Sequence, residues 1–198
     1  KVFMSGIGGI GMSALAQLLA ARGEIVVGSD REASPTTELL ESKGIKVIIG
    51  QQAENIPEDA SVFVYTVAVH TDNPERVRAK ELGIPQVSYF EMLGSVSEEK
   101  RTIAVAGTHG KTTTTAWLGY VMQKAGLEPS VMVGARVPQF NGLSLAGSSD
   151  YLVIEADEYQ NKLKYYQPKA VILNNIDYDH PDFFPTKEDY KNVFLKFI

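Results

Sequence analysis

Gly107, Gly110, Lys111 and Thr112 stand in AVAGTHGKTTTT, residues 104–115, with the spacing G-x-x-G-K-T. Glycines let main-chain N–H groups cradle a phosphate. A lysine beside them reaches β- and γ-phosphates, and the hydroxyl that follows can hold Mg²⁺. The common loop is longer, G-x-x-x-x-G-K-[ST], and its first glycine would fall where this chain has Val105. The competing reading is an ordinary turn with a surface lysine. G-K-T between a strand-like and a helix-like run is a demanding coincidence for that reading.

Two acidic clusters follow. EADE, Glu155 to Glu158, ends one apolar run, and NNIDYDH, Asn174 to His180, ends the next. Magnesium takes oxygen ligands, one or two of them carboxylates beside phosphate oxygens. Acids at strand ends are often solvated loop residues. Two such clusters behind a phosphate loop favour metal and phosphate chemistry. A second glycine pattern, GIGGIG from Gly6 to Gly11, matches G-x-G-x-x-G between a strand-like run and a helix-like one, and Asp30 closes the next strand. In that context the pattern predicts a diphosphate-linked nucleotide at a helix N-terminus. A tight turn without a ligand is the alternative, and Asp30 also suits the ribose of a nicotinamide cofactor.

These loops need strands that end together. KVFMSG, EIVVGSD, IKVIIG and SVFVYTVAV read as strands, alternating with helices in GMSALAQLLAARG, TTELLESKG and NPERVRAKELG. The pattern restarts with RTIAVAG, KTTTTAWLGYVMQKAG, DYLVIEAD, KAVILNNID and the amphipathic TKEDYKNVFLKFI. Such alternation predicts an α/β protein with two parallel-sheet units. The polar stretch SVSEEKR, residues 95–101, is the expected linker, so the units are expected over 1–98 and 99–198. The 198 residues, 44% apolar, suffice for a buried core. There is no cysteine, which excludes disulfides and thiolate metal sites and suits the cytoplasm. No apolar run reaches the roughly 18 residues of a membrane span. Net charge is −5, with 9 basic and 14 acidic side chains in residues 1–100 and 10 of each thereafter, so no basic excess points to nucleic acid.

AVAGTHGKTTTT resembles the ATP loop of the Mur ligases, the ATP-dependent amide-forming enzymes of peptidoglycan synthesis, in which the shorter glycine spacing is the usual form. GIGGIGMSALA, GSD, EADE and N-x-x-x-DH extend the likeness along the whole chain. The resemblance implies a Rossmann-like UDP-substrate domain followed by part of a P-loop ATPase domain, with a third domain absent. The chain alone is then expected to bind substrate without forming an amide. It implies ATP and Mg²⁺ (or Mn²⁺) as cofactors, and UDP-N-acetylmuramate and L-alanine as substrates joined through an acyl phosphate. A relative that attaches a ready-made tripeptide to the same UDP-sugar is the alternative.

By the matching motifs, Gly107, Thr108, His109, Gly110, Lys111, Thr112, Thr113 and Asn175 would bind ATP, and Lys111 and His180 would be catalytic. Thr112, Glu155, Glu158 and His180 would serve metal. Gly6, Gly8, Gly9, Ile10, Gly11, Ser29 and Asp30 would bind the UDP-substrate. YTVAV at residues 65–69 departs from the SSAI common in the family, which puts a uracil contact there in doubt. No lysine is assigned the carbamylated role seen in several members.

Overall fold

The computed structural model describes residues 1–140 and 142–198, in two units, Lys1–Met92 and Leu93–Ile198. The first is built from short β-branched and aromatic runs, each followed by a helix. In chain order these are β1 (Val2–Ser5), α1 (Ile10–Ala21), β2 (Val26–Asp30), α2 (Pro35–Ser42), β3 (Lys46–Ile49), β4 (Val62–Tyr65), α3 (Pro74–Glu81) and β5 (Gln86–Ser88). The strands form one sheet of order β3-β2-β1-β4-β5, parallel throughout. Central β1 is buried along its length because helices cover both faces. The strand order reverses beside β1, and the GIGGIG loop leaves its C-terminal end, where open α/β sheets collect ligands. Local chemistry sets the helix starts. Ser34 caps α2 in a reciprocal box with Thr37, and Asn73 caps α3 ahead of Pro74.

Helix α4 (Tyr89–Glu99) runs across the division between the units. The polar stretch expected as a linker is therefore helical as far as Glu99. Leu93 and Val96 are buried there, and the Ser97 carbonyl accepts the Thr102 hydroxyl at 2.7 Å.

The second unit contains β6 (Arg101–Ala106), α5 (Lys111–Lys124), β7 (Ser130–Val137), β8 (Gly142–Leu145), β9 (Tyr151–Glu155), β10 (Ala170–Leu173) and α6 (Lys187–Phe197). Its sheet has the order β10-β6-β9-β7-β8, parallel except for the antiparallel β7–β8 pair. Val105, Met122, Val131, Phe140 and Val153 form its core beneath α5. Tyr178, Phe184, Tyr190 and Phe194 make an edge-to-face aromatic cluster that buries one side of α6. The fold is α/β with two mostly parallel sheets. Among the described residues, no helix is long and apolar enough to cross a membrane.

Candidate functional site

The phosphate-loop candidate joins β6 to α5. Gly107 has φ +129° and Gly110 φ +78°, left-handed conformations that favour glycine. A Cβ on Gly107 would stand 2.9 Å from the Asn175 carbonyl oxygen. The loop is pinned to the end of β10. The Asn175 side chain accepts the His109 N–H at 2.9 Å and donates to the His109 carbonyl at 3.1 Å, which Asn174 also bonds at 3.1 Å. His109 thus contributes its main chain to the loop's shape, while the residue itself is exposed.

Lys111 folds back over this loop. Its ammonium donates to the carbonyls of Gly107 (2.6 Å) and Thr108 (3.1 Å) and to Glu158 Oε2 (3.0 Å). Glu158 is fully buried, so Lys111 is its charge partner. The other oxygen, Oε1, accepts the Tyr190 hydroxyl at 2.9 Å. That hydroxyl lies 2.6 Å from Thr108 Oγ1, which also bonds the Asp177 N–H and carbonyl. Burial drives the Tyr190 phenol well above its ordinary range. The Thr108 hydrogen bond opposes this, and the Glu158 carboxylate reinforces it. Tyr190 therefore stays a neutral donor to Glu158. Sequence reasoning missed Tyr190, since an aromatic at a helical core spacing looks like any packed aromatic.

On the other side of Lys111, the Thr112 hydroxyl donates to Glu155 Oε1 at 2.9 Å, and the Gly134 N–H donates to Oε2 at 2.9 Å. The hydroxyl and carboxylate are hard oxygen donors at the mouth of the loop, a fit for Mg²⁺ completed by phosphate oxygens. His180, in a left-handed conformation at φ +56°, puts Nε2 3.8 Å from Glu158 Oε1 and its ring 4.5 Å from that of Tyr159. The four metal candidates thus fall into two pairs, Thr112 with Glu155 and Glu158 with His180. Among the described residues, no three acidic or histidine side chains converge as a metal cage. Thr113 stands apart, exposed beside a hollow of about 220 Å³ shared with Trp117 and Tyr120.

In the first unit, Gly6, Gly8, Gly9, Asp30, Gln51 and Thr66 help line a cavity of about 450 Å³. Asp30 fastens the glycine loop, since its Oδ2 accepts the Gly8 N–H at 2.7 Å and its Oδ1 the Arg31 N–H at 2.8 Å. A Cβ on Gly8 would lie 2.8 Å from that Oδ2, so only glycine lets the loop and the acid meet. Ile10, Gly11 and Ser29 are not among the lining residues. Ile10 is exposed at the head of α1, and Gly11 lies against the Tyr89 ring. Ser29 is fully buried with its hydroxyl on Glu75 at 2.7 Å. Alternation along β2 sends Ser29 and Asp30 to opposite faces, and Asp30 is the one that meets the cavity.

Residues 1–101 match the family described as "Mur ligase family, catalytic domain", and residues 105–198 match the "Mur ligase middle domain". A curated UDP-N-acetylmuramate–L-alanine ligase of Caldicellulosiruptor saccharolyticus is 47% identical over all 198 residues, which cover 43% of that relative's length. The crystal structure of a UDP-N-acetylmuramate–alanine ligase from Thermotoga maritima superimposes with TM-score 0.88 at 32% identity, covering 100% of this chain and 46% of that one. A UDP-N-acetylmuramate:L-alanyl-γ-D-glutamyl-meso-diaminopimelate ligase of Neisseria meningitides gives TM-score 0.84 at 31% identity, covering 100% of this chain and 67% of that one. The chain spans less than half the length of the curated relative. With a Mur ligase match on each half, the nicotinamide reading of Asp30 falls away.

Proposed function

This chain belongs to the Mur ligase family, and from that premise we propose that it provides the substrate-binding and phosphate-binding units of an ATP-dependent ligase joining L-alanine to UDP-N-acetylmuramate. The observation that carries the reading is the meeting of Lys111, Thr112, Glu155 and Glu158 at the C-terminal ends of β6 and β9. The cavity beside Gly6, Gly8, Gly9 and Asp30 takes the UDP-sugar, with the N-terminus of α1 towards the diphosphate. ATP supplies the phosphoryl group that activates the lactyl carboxylate. The amine of L-alanine attacks the activated carbonyl carbon, forming the C–N bond as phosphate leaves and a proton is lost.

Each residue has a defined task in this scheme. Lys111 exchanges the carbonyls of Gly107 and Thr108 for the β- and γ-phosphates while Glu158 holds the base of its reach. Thr112 and Glu155 would hold Mg²⁺, which when bound would supply charge neutralisation for the phosphate oxygens. His180, facing Glu158, would be the ligand of a second cation. Asn175 keeps the loop in its phosphate-cradling shape through His109. ATP and a nucleotide sugar as reactants place the activity in the cytoplasm.

L-alanine is preferred as the amine because curated relatives at 42–47% identity bear that name, and the likeness to the Neisseria ligase keeps a tripeptide as the second reading. Calorimetry on this chain should show binding of UDP-N-acetylmuramate and none of NAD. In a protein of the relatives' full length, phosphate release should depend on L-alanine and not on the tripeptide. Lys111→Ala there should lower turnover by about 10²- to 10³-fold with UDP-sugar affinity intact. Loss of UDP-sugar binding in that variant would refute the division into two sites.

A further inference from the structure

Glu75, at the start of α3, is fully buried, and among the described residues no lysine, arginine or histidine pairs with it. A buried carboxylate without a counter-ion is costly unless donors surround it. Here the donors are neutral. The Ser5 and Ser29 hydroxyls donate to Oε2 at 2.5 and 2.7 Å, and the Asn55 amide donates to Oε1 at 2.8 Å. The N-terminal end of α3 adds a favourable dipole. The carboxylate in turn fixes the groups that carry those donors.

Those donors sit where the strands open onto the cavity. Ser5 ends β1 immediately before Gly6, and the Ser29 carbonyl accepts the N–H groups of both Gly6 and Ile7 at 2.9 Å. Asn55 also donates to the Gly50 carbonyl, just after β3, at 2.8 Å. Gln51, which lines the cavity, donates to Ser5 Oγ at 3.1 Å and accepts from Asn73 at 3.0 Å. One acceptor group thus sets the spacing of three strand ends and aims a lining side chain.

We infer that Glu75 is a positioning residue for the substrate cavity of the first unit, holding the glycine loop and Gln51 in the shape that receives the UDP-sugar. It acts through Ser5 and Ser29 and touches no ligand itself. This rests on the reading that the cavity takes the UDP-sugar. Glutamine in its place has one acceptor oxygen for donors on two sides: turned to Asn55 it makes the Ser5 and Ser29 hydroxyls accept instead of donate, and turned to the serines its amide opposes that of Asn55.

The test is calorimetry on this chain with UDP-N-acetylmuramate, and with a non-hydrolysable ATP analogue as the control for the second unit. Glu75→Gln is expected to weaken UDP-sugar binding about tenfold with analogue affinity unchanged. Ser5→Ala and Ser29→Ala, each removing one donor, should weaken it less, and Ser5→Ala in the Glu75→Gln background should add little. Unaltered UDP-sugar affinity in a folded Glu75→Gln protein overturns the inference and leaves the cavity assignment standing, even if the thermal midpoint falls. Should Glu75→Gln not fold, unaltered affinity in both serine variants overturns it equally. Failure of the wild-type chain to bind the UDP-sugar refutes the cavity assignment and the inference with it.

Discussion

Tyr190→Phe removes one oxygen from the centre of the phosphate-loop network. The residue is 1% exposed, and its ring contacts with Phe184 and Phe194, at 5.1 and 5.3 Å between centroids, survive the change. Thr108 keeps its bonds to the Asp177 main chain. The unreplaced loss falls on Glu158 Oε1, while Oε2 retains Lys111. A hydrogen bond to a charged group contributes about 1.5–3 kcal/mol, so the variant should lose about 2 kcal/mol of stability. Urea unfolding followed by circular dichroism measures this as a lower midpoint at constant slope. Tyr178→Phe is the control, since that hydroxyl donates to the neutral Phe184 carbonyl at 2.7 Å from a residue 38% exposed. It should cost about 1 kcal/mol or less.

The pH dependence has a definite sign. The folded phenol titrates above the unfolded value of about 10, so its contribution is complete below that pH and is lost as pH rises towards the folded value. The gap between wild type and Tyr190→Phe should stay level from pH 7 to about 10 and narrow above it. A Tyr190→Phe loss no larger than that of Tyr178→Phe would refute the network as a source of stability.

Two further perturbations bear on the phosphate loop. Gly107→Ala forces a side chain to φ +129° with its Cβ 2.9 Å from the Asn175 carbonyl, and should cost about 1–3 kcal/mol in urea unfolding and weaken ATP-analogue binding. An unchanged midpoint would show that the loop relaxes without strain. His180→Ala, in a protein of the relatives' length, should lower turnover and raise the Mg²⁺ or Mn²⁺ concentration needed for half-activity, with partial recovery at high metal. Unchanged metal dependence, with an altered pH–rate profile, would assign His180 to proton transfer instead.

Local physics made both glycine loops readable in the chain. Gly6, Gly107 and Gly110 occupy positive φ, and a position that needs that conformation selects glycine whatever surrounds it. The strands β1, β2, β4, β6 and β9 were equally visible, because burial on both faces demands continuous apolar runs. Helix α4 was not, since Leu93 and Val96 give it its buried face inside a stretch whose polar residues suggested a linker. Nor was the β7–β8 pair, which supplies Gly134 to Glu155.

The partners of Glu75 and Tyr190 were decided by the tertiary structure alone. Ser5 reaches Glu75 across 70 positions, and Thr108 meets Tyr190 across 82. Periodicity reports which face a side chain takes, not what stands opposite it. Alternation could place Ser29 and Asp30 on opposite faces of β2. Only the packing of α3 against the sheet turned Ser29 towards a buried carboxylate and left Asp30 to fasten the glycine loop.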